Sequence, residues 1–147
     1  MLLTQLALGS GMILATAVVH TAGLMVLIAM LMRHTALGKD GAGVLHIARF
    51  LALVVLAIFL LHAFEIWIWA VLYQLLGEFE ELGGALYFST TVFTTLGFGD
   101  VVLSPRWQLL SSMEAANGII LFGLSTAVLF AVFARLLQGR DFGGTAT

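Results

Sequence analysis

The chain has 147 residues, 61% of them hydrophobic and only 10% charged, with a mean hydropathy of +1.11. A soluble domain carries roughly a quarter of its residues as charges, so most of this surface is built to face lipid. The net charge of −2 and the lack of any cysteine exclude a basic nucleic-acid face, a disulfide framework, thiol catalysis and cysteine-ligated metal.

A helix needs about 20 apolar residues to cross a hydrocarbon core of roughly 30 Å, and three segments reach that length. The first is Leu2–Met32, softened by Gly9, Ser10, Gly11, Thr16, His20 and Gly23. It lacks a basic start, and its apolar stretch exceeds the roughly 7–15 residues of a signal-peptide core. It therefore reads as a retained helix. Its single arginine, Arg33 at the end, excludes a voltage sensor of the arginine-rich type, which works by moving many charges. A short polar turn follows over residues 33–43.

The second span is Val44–Leu76, with its most apolar stretch at Phe50–Leu61. Glu65 is a carboxylate inside a span, costly in lipid and hence a functional candidate. His62 lies three residues earlier on the same helical face. A metal site joining these two to His20 would need a tight ligand cluster, which linear order does not display. The expected role is a buried hydrogen bond to a pore helix or a neighbouring subunit. Trp67, Trp69 and Tyr73 suit an outer interfacial belt of aromatic residues.

Residues 77–106 are too polar and too glycine-broken to span. Ala85–Thr94 can form a helix about 15 Å long, and Thr95–Gly99, nearly extended, covers roughly 16 Å. The segment can thus descend to mid-membrane and climb back to the surface it left. Bare backbone at that depth is tolerated only where it is buried in protein or lines a water-filled path, so a re-entrant, pore-lining loop is expected. Glu78, Glu80 and Glu81 then stand at its mouth and can concentrate cations.

The third span is Trp107–Leu137. It carries Glu114, expected behind the pore loop, and Gly118 and Gly123, candidates for a gating hinge or a close helix crossing. Ser125, Thr126 and Ala131 are candidate cavity-lining residues, and Leu129, Phe130 and Phe133 a candidate hydrophobic constriction. The tail after Leu137 is too short for a ligand-binding domain. Asp141-Phe-Gly143 resembles a kinase motif with nothing else kinase-like around it. Arg33, Lys39 and Arg49 flank the first turn and Arg135 and Arg140 follow the third span, with only Arg106 opposite. By the positive-inside rule the C-terminus is cytoplasmic and the N-terminus outside.

Thr95–Gly99 carries the chemistry. A potassium ion crossing a membrane must exchange its water for protein oxygen, which backbone carbonyls supply when several chains aim them at one axis. Successive carbonyls face one way only if alternate residues take backbone angles that glycine accepts freely. Gly97 and Gly99, spaced by one, meet that need, and Thr95 can add a hydroxyl at the inner end. Leu96 and Phe98 are then expected to point away from the axis and pack against the short helix, whose C-terminal dipole favours a cation.

Thr-Leu-Gly-Phe-Gly-Asp, residues 95–100, resembles the potassium-channel signature, whose usual form is Thr-Val-Gly-Tyr-Gly. Ala85-Leu-Tyr-Phe-Ser resembles the aromatic-rich pore helix of that family, and Trp107 opens an inner helix. The chain resembles small prokaryotic potassium channels of the two-transmembrane pore-domain family, with an extra N-terminal helix. The resemblance implies an all-α, multi-pass cell-membrane protein assembled as a homotetramer in lipid, with potassium ions and no organic cofactor, and no enzymatic activity. Its domains are a first helix and turn (1–43), a pore domain (44–138) and a short tail (139–147). The resemblance implies potassium ligation by Thr95, Leu96, Gly97, Phe98 and Gly99, supported by Thr91, Thr94 and Asp100. Many relatives pair the aspartate after the filter with a pore-helix carboxylate; Thr91 holds that position here, so Asp100 needs another partner. Phe98 also lacks the phenolic hydroxyl of the usual tyrosine. The rival readings are a weakly selective cation channel, a non-conducting membrane scaffold and, more distantly, an intramembrane metalloenzyme.

Overall fold

The computed structural model describes residues 1–34 and 44–138. Lys39 and Arg140, on which part of the charge asymmetry rests, and the tail from residue 139 lie outside the described residues. Four helices follow in order: α1 (Leu2–His34), α2 (Val44–Leu75), α3 (Leu82–Phe93) and α4 (Gln108–Gln138). There is no strand among the described residues. Helices α1, α2 and α4 are each long and apolar enough to cross a membrane, while α3, with 12 residues, is not. This is an all-helical membrane fold.

Local chemistry sets the helix ends. Helix α2 stops at Gly77, whose φ of 75° is open to glycine and costly for other residues. The Gly77 N–H donates to the Gln74 carbonyl and the Glu78 N–H to the Tyr73 carbonyl, the paired bonds that close a helix with a left-handed residue. Helix α3 begins at Leu82, three residues before the expected Ala85, and runs through Gly83 and Gly84. The glycines occupy the first turn, where N–H groups have no intrahelical partner to lose. Helix α4 is capped from a distance: the Gln5 side-chain oxygen accepts the Leu109 N–H at 3.1 Å.

Two apolar clusters hold the helices together. Trp69 and Tyr73 of α2, Phe88 and Phe93 of α3, and Leu103, Trp107, Leu110 and Leu121 form one; Leu24 and Leu31 of α1 with Val54 and Ile58 of α2 form the other. Trp69 and Tyr73 are therefore core residues, not belt residues. They lie one turn apart on the α2 face that meets α3, whereas Trp67 points off that face and stays exposed. Leu129 packs against the second cluster, while Phe130 and Phe133 remain exposed.

Helix α1 lies along α4 and parallel to it. Gln5 meets Leu109, Thr16 meets Asn117 at 2.7 Å, and His20 meets Ser125 at 3.2 Å. Gly9 faces Met113, and Gly23 faces Leu61 of α2; small residues at these points let the helices approach. The start of α1 and the α3 loop consequently share one end of the bundle.

Candidate functional site

The loop from Thr94 to Asp100 grows out of the C-terminus of α3. The Thr94 and Thr95 N–H groups close the last turn on the Thr90 and Val92 carbonyls, and the Gly97 N–H then reaches back to the Thr91 carbonyl at 3.0 Å. The chain thus reverses against the end of the helix. Thr95, Gly97 and Gly99 have φ values of 60°, 51° and 78°, positive at every second residue. Thr95 is a β-branched residue in a region that costs such residues roughly 1–3 kcal/mol. An alternation of backbone hand along a strand turns successive carbonyls toward one side.

The supporting residues differ in their attachments. The Thr91 hydroxyl donates to the Phe88 carbonyl at 2.8 Å and the Thr94 hydroxyl to the Thr90 carbonyl at 2.7 Å, so both fold back onto α3. Asp100 finds its partner in Tyr87, whose hydroxyl donates to Oδ2 at 2.7 Å. That bond, to which the nearby carboxylate charge adds, holds the Tyr87 hydroxyl above the usual phenol range, so it stays a donor at neutral pH. Leu96 and Phe98 are 58% and 66% exposed. Contrary to the expected packing on α3, each is left mostly uncovered by its own chain.

The ion channel family profile matches residues 50–135, more than half of the chain. The chain belongs to the ion channel family. The matched stretch takes in most of α2, all of α3 and its loop, and α4 as far as Arg135. Helix α1 lies outside it, an addition to the channel unit. No curated protein and no solved structure matches the chain.

Two carboxylates stand inside the helices of this channel protein. Glu114 of α4 is fully buried behind α3, where it accepts from the Tyr73 hydroxyl at 2.7 Å and the Ser89 hydroxyl at 2.5 Å. Ser89 also lies 3.0 Å from the Ile66 carbonyl. One carboxylate therefore ties α2, α3 and α4 together and fixes the depth of the short helix. Glu65 is equally buried and faces His20 and His62. Its partners come from α1 and its own helix, with Ser125 of α4 beyond them, and not from α3 as expected. Ser125 is thereby taken up by the helix interior rather than left free to line a cavity, while Thr126 and Ala131 are exposed.

Gly118 sits where α4 passes the end of α3. A Cβ there would collide with the Phe93 carbonyl oxygen, so the position is a close crossing that only glycine permits. Gly123 meets nothing on its open side. Glu78, read from the sequence as a mouth carboxylate, instead accepts the Ser104 N–H at 2.6 Å and the Ser104 hydroxyl at 2.7 Å. It clamps the two ends of the loop segment together, whereas Glu80 and Glu81 are exposed. In the sequence Tyr87 stood only as one of the aromatic residues of the pore-helix stretch, and Ser104 carried no signal. A polar residue one turn before Thr91 on the face of α3 was the available clue to the first.

Proposed function

We propose that the chain is one subunit of a homotetrameric, potassium-selective channel that conducts passively. Thr95, Leu96, Gly97, Phe98 and Gly99 of four copies would supply the ion ligands. The observation that carries this reading is the positive φ at Thr95, Gly97 and Gly99, which suits a strand offering successive carbonyls to one axis. A single strand cannot encircle an ion, and the four-fold arrangement of such strands is the known solution. Exposed Leu96 and Phe98 accord with it, since neighbouring copies would cover them. Arg33, Arg49 and Arg135 at one end of the bundle, against Arg106 at the other, favour a cytoplasmic C-terminus and an outward-facing loop. Phe98, without a phenolic hydroxyl, favours the second reading, a weakly selective cation channel.

Potassium flux through the full chain in liposomes tests both, with sodium as competitor and Gly97→Ala as control. Potassium-selective flux that vanishes in the variant is expected. Equal passage of sodium would move the assignment to the weakly selective channel, and silence from a folded tetramer would sink conduction itself.

A further inference from the structure

Two imidazoles and a carboxylate, far apart in the sequence, meet where α1, α2 and α4 pack. His20 Nδ1 lies 2.8 Å from Glu65 Oε1, and His62 Nδ1 lies 3.0 Å from Glu65 Oε2. One donor atom from each of the three falls within 4.8 Å of the others. On the far side of the rings, Nε2 of His62 and Nε2 of His20 stand 3.1 Å and 3.2 Å from the Ser125 hydroxyl oxygen. All four side chains are buried. The result is a closed ring of polar contacts: carboxylate, two imidazoles, hydroxyl.

With Glu65 as a carboxylate and both imidazoles neutral, the ring is one hydrogen short. A neutral imidazole carries hydrogen on one nitrogen only. If both Nδ1 atoms donate to Glu65, both Nε2 atoms are bare, and Ser125 has a single hydrogen for the two of them. One contact then sets lone pair against lone pair. A cation held between the Nδ1 atoms and the carboxylate removes the conflict. Both Nε2 atoms then carry hydrogen, and the two lone pairs of the Ser125 oxygen accept both. One extra proton, on an imidazole or on Glu65, closes the ring as well. The geometry is what points to a metal ion: Nδ1 atoms from two helices converge on the two oxygens of one buried carboxylate, with a donor of each residue within 4.8 Å of the others.

We propose that His20, His62 and Glu65 form a divalent-cation site of the zinc class. Zinc takes imidazole nitrogen at about 2.0–2.1 Å and carboxylate oxygen at about 2.0–2.2 Å, so the present donor spacings need only a small adjustment. Two nitrogen donors disfavour calcium and magnesium, which prefer all-oxygen sites, and they set this site apart from any oxygen-lined path for potassium. Ser125 is the outer partner that holds both rings in one tautomer. The Glu65 charge offsets part of the cost of a cation inside a span. The ion would join α1, which lies outside the family match, to the channel unit. Apolar helices have little drive to associate within lipid, and a shared ion supplies one. This inference does not depend on potassium selectivity.

The test uses the full chain, free of any affinity tag, purified in detergent, stripped with chelator and incubated with Zn²⁺ or Co²⁺. We expect about one ion per chain by elemental analysis, and a Co²⁺ absorption in the visible that the stripped protein lacks. Glu65→Gln and His20→Gln, which keep size and hydrogen bonding, should each lose both signals while eluting as the same oligomer. Ser125→Ala should still bind, but about tenfold more weakly. Equal metal in wild type and His20→Gln would overturn the site. So would a folded wild type that takes up neither ion, which would leave the ring closed by a proton.

Discussion

From Thr94 to Asp100 every residue is exposed in the single chain, and the loop's apolar side chains Leu96 and Phe98 find no cover. In the helical interior, His20, His62, Glu65, Glu114 and Asn117 are buried and each has a partner within hydrogen-bond reach. The loop works with backbone held in uncommon angles, the interior with side chains in ordinary helices. Buried polar groups in lipid must be satisfied from within, and here one chain nearly suffices. Trp69 Nε1 is the only buried side-chain donor or acceptor left unpartnered among the described residues. The loop, by contrast, is unfinished by one chain. Its exposed oxygens and apolar side chains would be covered in the proposed assembly of several subunits around one ion path.

Substitutions at four positions would break or sharpen this contrast. The largest effect is expected at the contact between the two regions. Gly118→Ala drives a methyl into the Phe93 carbonyl, backbone that cannot rotate away, so a loss of about 3 kcal/mol or more is expected, read as a lower melting temperature and lost assembly. Unchanged melting would mean that α3 is free to slide along α4. Next, Glu114→Ala strands the buried hydroxyl of Tyr73 and leaves Ser89 only the Ile66 carbonyl, for a loss of about 1–3 kcal/mol. Glu114→Gln should recover part of it, and denaturant titration of the two variants measures the difference.

Thr95→Gly acts in the opposite direction. Relieving a positive φ at a β-branched residue should raise stability by about 1 kcal/mol, while removing a hydroxyl from the proposed ion path lowers potassium flux. A variant gaining both would show that the loop's strain serves nothing. The smallest effect is expected for Tyr87→Phe, at the exposed outer end. The Tyr87 hydroxyl titrates above the usual phenol range because Asp100 accepts its hydrogen. The bond therefore contributes below the ordinary phenol range and is lost as pH rises through the raised value. Wild type should outlast the variant in sustained flux at neutral pH, and the two should converge in strong alkali. Identical behaviour at neutral pH would remove Asp100 anchoring as a support of the loop.

How much of this was legible beforehand follows the same division. The three spans, the re-entrant helix and the glycine spacing of the loop depend on neighbours along the chain, because span length, helix rise and backbone angle are local properties. The loop could accordingly be read residue by residue. The burial of Trp69 and Tyr73, the clamp of Glu78 on Ser104 and the capture of Ser125 depend on how far each helix is rotated about its axis. Nearly uniform apolar faces leave that rotation unmarked in the sequence. His20 and Glu65 were each visible as costly residues in a span, yet nothing between them said that they touch. Helix packing brought α1 parallel to α4 with Gln5, Thr16 and His20 turned inward, since unpaired polar groups are costly in lipid. The amino-acid sequence alone determined that this is a membrane protein with a re-entrant loop carrying glycines at alternate positions. Only the tertiary structure decided which buried polar groups meet, because their partners lie on other helices.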